Sequence, residues 1–148
     1  MNLFLSSKVP KESRETLEDL LFFNPRQYLV RDGILQSLEE FGHPQVVETA
    51  DGLSVRIKGC EVQTLFAFDQ DRRGDNLVGV VVFLRTSPVE VAIVHVAVHP
   101  DYALHGQHVG TGLGVILVEK VKEICSRIVG VERIVFFYRR EVMIRVKT

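Results

Sequence analysis

The sequence predicts an α+β domain built on a central mixed, mainly antiparallel sheet flanked by helices. Three observations lead there. Helical spacing of apolar residues occurs before residue 42 and again over residues 112–129. Between them, residues 45–98 read as short strands punctuated by turn signals. Finally, one nearly all-apolar strand runs through a glycine-rich loop into the second helical region, with another strand after it.

Residues 2–5 form a short apolar run suited to a first strand, and Ser6, Ser7 and Pro10 mark a turn. The period then changes. Leu17, Leu20, Leu21 and Asn24 lie at helical spacing, and Glu12, Glu15 and Glu18 load the early turns, where negative charge suits the helix dipole. Pro25 ends this helix near Asn24. Residues 27–41 carry a second helical segment with Leu35, Leu38 and Phe41 in phase. Gly33 weakens its middle, and Asp32 is also placed to cap a helix that starts only after Arg31-Asp32-Gly33.

Strands follow. Residues 45–49 and 53–58 flank Asp51-Gly52, a hairpin turn pair. Residues 61–69 and 77–85 flank the polar loop 70–76. Glu90–Val98 comes after the Ser87-Pro88 turn, and its apolar run predicts burial on both faces. Residues 112–129 are the clearest helix. Leu113, Ile116, Leu117, Val121, Ile124, Cys125 and Ile128 make one apolar stripe, and Gly130 is placed to end it. Residues 131–138 and 141–147 are two final strands across Arg139-Arg140. A strand–helix–strand unit of this kind crosses over right-handed in nearly all known cases. No repeat, low-complexity tract or linker interrupts the chain, so residues 1–148 are expected to form a single domain.

Composition excludes several classes. The 148 residues suffice for one sizeable core, and 46% hydrophobic with 25% charged residues is ordinary for a soluble globular chain. A formal net charge of -1 offers no basic excess for nucleic acid. Arg72-Arg73 and Arg139-Arg140 read as solvated turns. No apolar run reaches the ~18 residues of a membrane span, and no signal peptide is recognisable. Cys60 and Cys125 lack metal-ligand spacing and make no disulfide framework, so no metal and a cytoplasmic, reducing setting are expected.

The chemistry is expected where the apolar strand ends at His99-Pro100. The loop beyond contains Gly106, Gly110, Gly112 and Gly114 and leads into the long helix. The first N–H groups of a helix lack internal partners and lie at the positive end of its dipole. Glycines let a phosphate approach them closely, so the arrangement suits a pyrophosphate. Gly110-Thr111-Gly112-Leu113-Gly114 does not have P-loop spacing, and no Lys-Ser or Lys-Thr follows. The dinucleotide fingerprint expects an acidic residue about 20 residues on, where this chain has aromatics and arginines.

Val96-Ala97-Val98-His99-Pro100-Asp101-Tyr102 resembles the end of the fourth strand in the GNAT superfamily of acyl-CoA N-acyltransferases. Gln107-His108-Val109-Gly110-Thr111-Gly112 is similar to that superfamily's Q/R-x-x-G-x-G/A loop. The resemblance is specific over residues 94–127 and extends more weakly, through topology, to most of the chain. It implies a GNAT-like sheet and an N-acetyltransferase that uses acetyl-CoA as cosubstrate. An amine of a small-molecule or peptide acceptor would attack directly in a ternary complex. It also implies that backbone groups of Val96 and Val98 pair with the pantetheine arm. A bulge would splay this strand from the next and open a wedge for the thioester. Backbone N–H groups of His108, Val109, Gly110, Thr111 and Gly112, with Leu113, would hold the pyrophosphate, and Gln107 would begin the loop.

Three departures stand against that pattern. Residues 103–106 are longer than the usual basic connector and contain no Arg or Lys. His108 stands where Gly is common. The chain ends soon after the fifth-strand candidate, which gives a shortened C-terminal part without the family's fourth helix or the tyrosine that often protonates the leaving thiolate. A homodimer is expected, with a partner completing the sheet, because residues 142–146 would otherwise leave an apolar edge exposed.

His95, Glu90 and Tyr138 are the candidate acid–base residues. His95 is either a satisfied core histidine or a cleft residue suited to act as general base. Glu90, at a strand start, is a second candidate base. Tyr138 would be the acid if it ends the fifth strand at the cleft, and a solvent-facing aromatic otherwise. His99 reads as structural. Two further readings compete with the enzyme: a non-catalytic acyl-CoA-binding sensor or interaction module, and a nucleotide-binding domain unrelated to CoA.

Overall fold

The computed structural model describes residues 2–22, 44–58, 60–102, 112–136 and 142–145. In chain order the elements are β1 (Leu3–Ser6), a 3-10 turn (Lys11–Ser13), α1 (Arg14–Phe22), β2 (Pro44–Thr49), β3 (Gly52–Ile57), β4 (Cys60–Glu61), β5 (Gln63–Asp69), β6 (Leu77–Ser87) and β7 (Glu90–Val98). A second 3-10 turn (Pro100–Tyr102), α2 (Leu113–Ser126), β8 (Arg133–Phe136) and β9 (Val142–Arg145) follow.

Strands that are apolar on both faces need cover on both. β1-β5-β6-β7-β8-β9 form a six-stranded sheet in that spatial order, and β2-β3-β4 form a separate three-stranded sheet. Within the large sheet only β7–β8 is parallel. The expected mixed, mainly antiparallel sheet with flanking helices is therefore the architecture observed. On one face, Leu17, Leu20 and Leu21 of α1 and Leu53, Val55 and Ile57 of the small sheet cover Phe66, Val80, Val82, Ala92 and Val94. On the other, Leu113, Leu117, Val121 and Cys125 of α2 cover Val78, Val81, Ile93 and Val96.

The contact line of α2 is narrower than the sequence stripe, since Ile116 and Ile124 are only half-buried. Gly79 on β6 explains how closely this helix approaches. A Cβ there would stand 3.1 Å from Leu117 Cδ1 and 3.4 Å from Leu113 Cδ2.

Elsewhere the elements shift from their predicted bounds. Ala50 and Asp51 form the hairpin loop, and Gly52 already pairs with Thr49. Gly52 has φ +130°, and the Val9 carbonyl occupies the space a Cβ would need. That carbonyl accepts a 3.0 Å bond from the Leu53 N–H. The strand expected over residues 61–69 divides at Val62. Cys60–Glu61 pairs with β3, whereas Gln63–Asp69 joins the large sheet. The first helix opens as a 3-10 turn behind Pro10. The Ser13 and Thr16 hydroxyls donate to the Asp75 carboxylate at 3.0 and 2.6 Å and tie this end to the β5–β6 loop. The second helix expected over residues 27–41 lies outside the described residues.

Candidate functional site

β7 has two unlike halves. On one side it pairs with β6 along its whole length, from Ser87↔Glu90 to Gly79↔Val98. On the other, the described pairing with β8 matches Glu90–Ile93 to Arg133–Phe136, and β7 runs on to Val98. The register on β6 jumps from Phe83↔Ile93 to Val82↔His95, so Val94 is a bulge residue.

The bulge resets which way the side chains point. Ala92 and Val94 lie in the core beneath α1, and Ile93 in the core beneath α2. After the slip Val96 is on the α2 side and Ala97 on the α1 side. His95 shares the face of Ala97 and reaches the Leu20 backbone on α1. The backbone edges follow the same alternation. His99 N–H donates to the Val78 carbonyl at 2.7 Å, which turns Ala97 toward β6 as well. The backbone groups of Val96 and Val98 therefore point to the opposite edge, the side on which β8 lies.

At the C-terminal end of β7 the 3-10 turn is held by a polar cluster. Asp69 is 2% exposed and accepts from the Tyr102 hydroxyl and, at 3.1 Å, from the N–H groups of Asn2 and Asp71. The Tyr102 bond, followed by those N–H groups, holds the Asp69 carboxyl below its ordinary value against the opposing effect of burial. Burial, reinforced by Asp69, pushes the Tyr102 hydroxyl up. Arg72 donates to Asp101 at 3.1 Å, faces His99 Nε2 at 3.2 Å, and lies over the Tyr102 ring. Burial lowers the His99 pKa and the Arg72 charge lowers it further. The Asp101 N–H reaches His99 Nδ1 at 3.1 Å, so both ring nitrogens face donors. A neutral ring can accept at only one of them at a time.

This cluster was missed in the sequence, where Arg72 read as solvated. The signal lay in the topology. In an antiparallel β5-β6-β7 meander, the β5–β6 loop comes to the same end of the sheet as the end of β7. Arg72 is accordingly half-buried there, with 28% of its side chain exposed.

α2 begins beside this turn. Gly112 takes a left-handed conformation, φ 64° and ψ 33°, immediately before Leu113, and its carbonyl accepts from the Ile116 N–H at 2.9 Å. A Cβ on Gly112 or Gly114 would meet no described atom within 4 Å. No acidic residue lies in the first turn, so the positive end of the helix is not offset there. Leu113 is buried and anchors the helix start. Gln107, His108, Val109, Gly110 and Thr111 lie outside the described residues.

His95 and Glu90, the two candidate acid–base residues among those described, do not converge. His95 is 6% exposed, and burial lowers its pKa to about 4 against the opposing bond to Leu20. It packs under α1 as a core histidine with a backbone partner. Glu90 stands at the far end of β7. It accepts from Thr86 Oγ1 at 2.7 Å and from Arg133 Nε at 3.0 Å, and these contacts, Thr86 first, lower its pKa. Tyr138 lies outside the described residues. Among the described residues no group of three or more His, Cys, Asp or Glu could hold a metal ion, and no helix is long and apolar enough to cross a membrane.

No protein-family model matches the chain, and no curated protein matches it. Solved structures do resemble it. One is the IAA acetyltransferase from Bacillus cereus, 18% identical with TM-score 0.48, over 91% of this chain and 65% of that one. Another is the loading GNATL domain of CurA from Lyngbya majuscula, 17% identical with TM-score 0.48, over 92% and 64%. A third, from Desulfovibrio desulfuricans, is assigned to the GNAT family of acetyltransferases and is 18% identical with TM-score 0.48, over 90% and 72%. The chain spans just under two thirds of the length of the first two.

Proposed function

We propose that the chain binds acetyl-CoA along the far half of β7 and transfers its acetyl group to an amine. The observation that carries this is the bulge at Val94. Beyond it β7 continues to Val98, and α2 starts from the left-handed Gly112. A strand edge beside a helix N-terminus matches the two parts of the cosubstrate. The pantetheine arm offers amide groups to Val96 and Val98, and the pyrophosphate suits backbone N–H groups of Gln107, His108, Val109, Gly110, Thr111, Gly112 and Leu113.

In the proposed reaction an uncharged amine attacks the thioester carbonyl within a ternary complex. The C–N bond forms, the C–S bond breaks, and the amine proton passes to water. Tyr138 is the proposed donor to the departing thiolate, which leaves as CoA-SH. Glu90 has no part in this step, because it is held by Thr86 and Arg133 away from the bulge.

Binding without catalysis is the second reading. It is favoured by the structural engagement of His95 and Glu90, two of the three candidate side chains. Thermal shifts with acetyl-CoA, CoA and ATP, followed by free-thiol release with a panel of amines, separate the cases. Stabilisation by both CoA species with thiol release supports the transferase. Stabilisation without release supports a binding module, and a response to ATP alone removes both.

A further inference from the structure

We propose that His95 is the positioning residue of this site: its imidazole, bonded to the Leu20 carbonyl of α1, pins the Val94 bulge and so sets which backbone edge of β7 meets the acyl thioester. This rests on the acyl-CoA assignment above. The premise is geometric. A bulge can in principle be lost, and the one-residue register slip that follows exchanges the two faces for every residue beyond it. From Val91 to Val98 every other residue is Val, Ala or Ile, side chains that pack passably on either face.

His95 is the exception. In the observed register it faces α1, where a backbone carbonyl accepts its N–H. One residue out of register, the imidazole would enter the apolar cluster of Ile93, Val96, Leu113 and Leu117 under α2. A buried imidazole there would lose its partner and be disfavoured. The same slip would turn the backbone groups of Val96 and Val98 toward β6 and remove them from the cleft edge. His95 acts through the backbone and touches no substrate.

The test compares His95→Leu, which removes the donor, with His95→Asn and His95→Gln, which place an amide N–H near one or other ring nitrogen. Amide signals of residues 93–98 are followed by ¹H–¹⁵N NMR without ligand, and kcat and KM for acetyl-CoA are measured alongside. His95→Leu is expected to double or broaden those signals and to lower kcat about 10-fold or more, with KM for acetyl-CoA changed less than about threefold. At least one amide variant should restore both. Undisturbed amides in His95→Leu overturn the proposal whatever happens to kcat, since a loss of rate alone would mean direct acid–base action. If His95→Leu does not fold, failure of both amide variants to recover the wild-type signals overturns it equally. Should the wild type neither bind nor turn over acetyl-CoA, the transferase assignment fails, while the NMR comparison still decides whether His95 pins the bulge.

Discussion

The two ends of β7 are built from similar residues and behave differently. At the start, Glu90 is tied to Thr86 and Arg133, and Arg85 donates to the carbonyls of Pro88 and Val129 at 2.6 and 3.0 Å. These contacts join the β6–β7 turn to the entry of β8, and β7 there has a strand on each side. At the finish, the polar groups of Asp69, Arg72, Asp101 and Tyr102 hold the turn, while the backbone edge of Val96 and Val98 and the left-handed Gly112 face the proposed ligand. Charge at the first end is spent on structure. At the second end the proposed binding of the cosubstrate falls to the backbone, and the side chains of this polar cluster hold the turn in place.

The sharpest way to break this contrast is Gly112→Val. Valine is strained at φ 64°, and its side chain would project into the phosphate space. CoA affinity, measured calorimetrically, should fall about 10³-fold, some 4 kcal/mol. Gly112→Asn, which tolerates this backbone conformation, should lose much less. Equal losses would show that backbone conformation at Gly112 is irrelevant to binding.

His95 gives the next effect, on stability. Its pKa is about 4 when folded, against an ordinary value of 6.5. The unfolded chain therefore binds the proton first, so stability is intact above pH 6.5 and is lost between 6.5 and 4. The loss amounts to about 3 kcal/mol, and His95→Gln should flatten that part of a urea-denaturation series run against pH.

Tyr102→Phe should cost about 2 kcal/mol near neutral pH by leaving the buried Asp69 carboxylate short of a donor. The depressed Asp69 pKa contributes stability above the ordinary value of 3.8 and loses it as pH falls through the folded value. The difference between variant and wild type should therefore narrow in acid. Glu90→Gln is expected to be the mildest, at most about 1 kcal/mol, because its ion pair with Arg133 is partly exposed. Turnover should be unchanged, and a large fall in kcat would restore Glu90 as a catalytic base.

Much of the frame was legible in the sequence because period and punctuation are local. Glu90–Val98 was delimited to the residue, and the α2 helix within a few residues, since apolar continuity and flanking Gly and Pro mark such elements. The bulge was implied only by resemblance, because nothing in Ile93-Val94-His95 distinguishes a bulge from regular strand. The split at Val62 was illegible because no Gly or Pro interrupts residues 60–69, which two sheets share. His95 could be recognised as core or cleft but not assigned, as the choice depends on a long-range carbonyl from α1. The Arg72 cluster needed the strand order before its members could be neighbours.

The most direct measurement is a ¹H–¹⁵N titration of the protein with acetyl-CoA. The largest shifts are expected at Val96, Val98, Gly112 and Leu113, with those at Glu90 and Arg133 small. Largest shifts at the Glu90 end or along the outer face of α2, or none at about millimolar ligand, a range typical of the weakest specific binding, would contradict the proposed site.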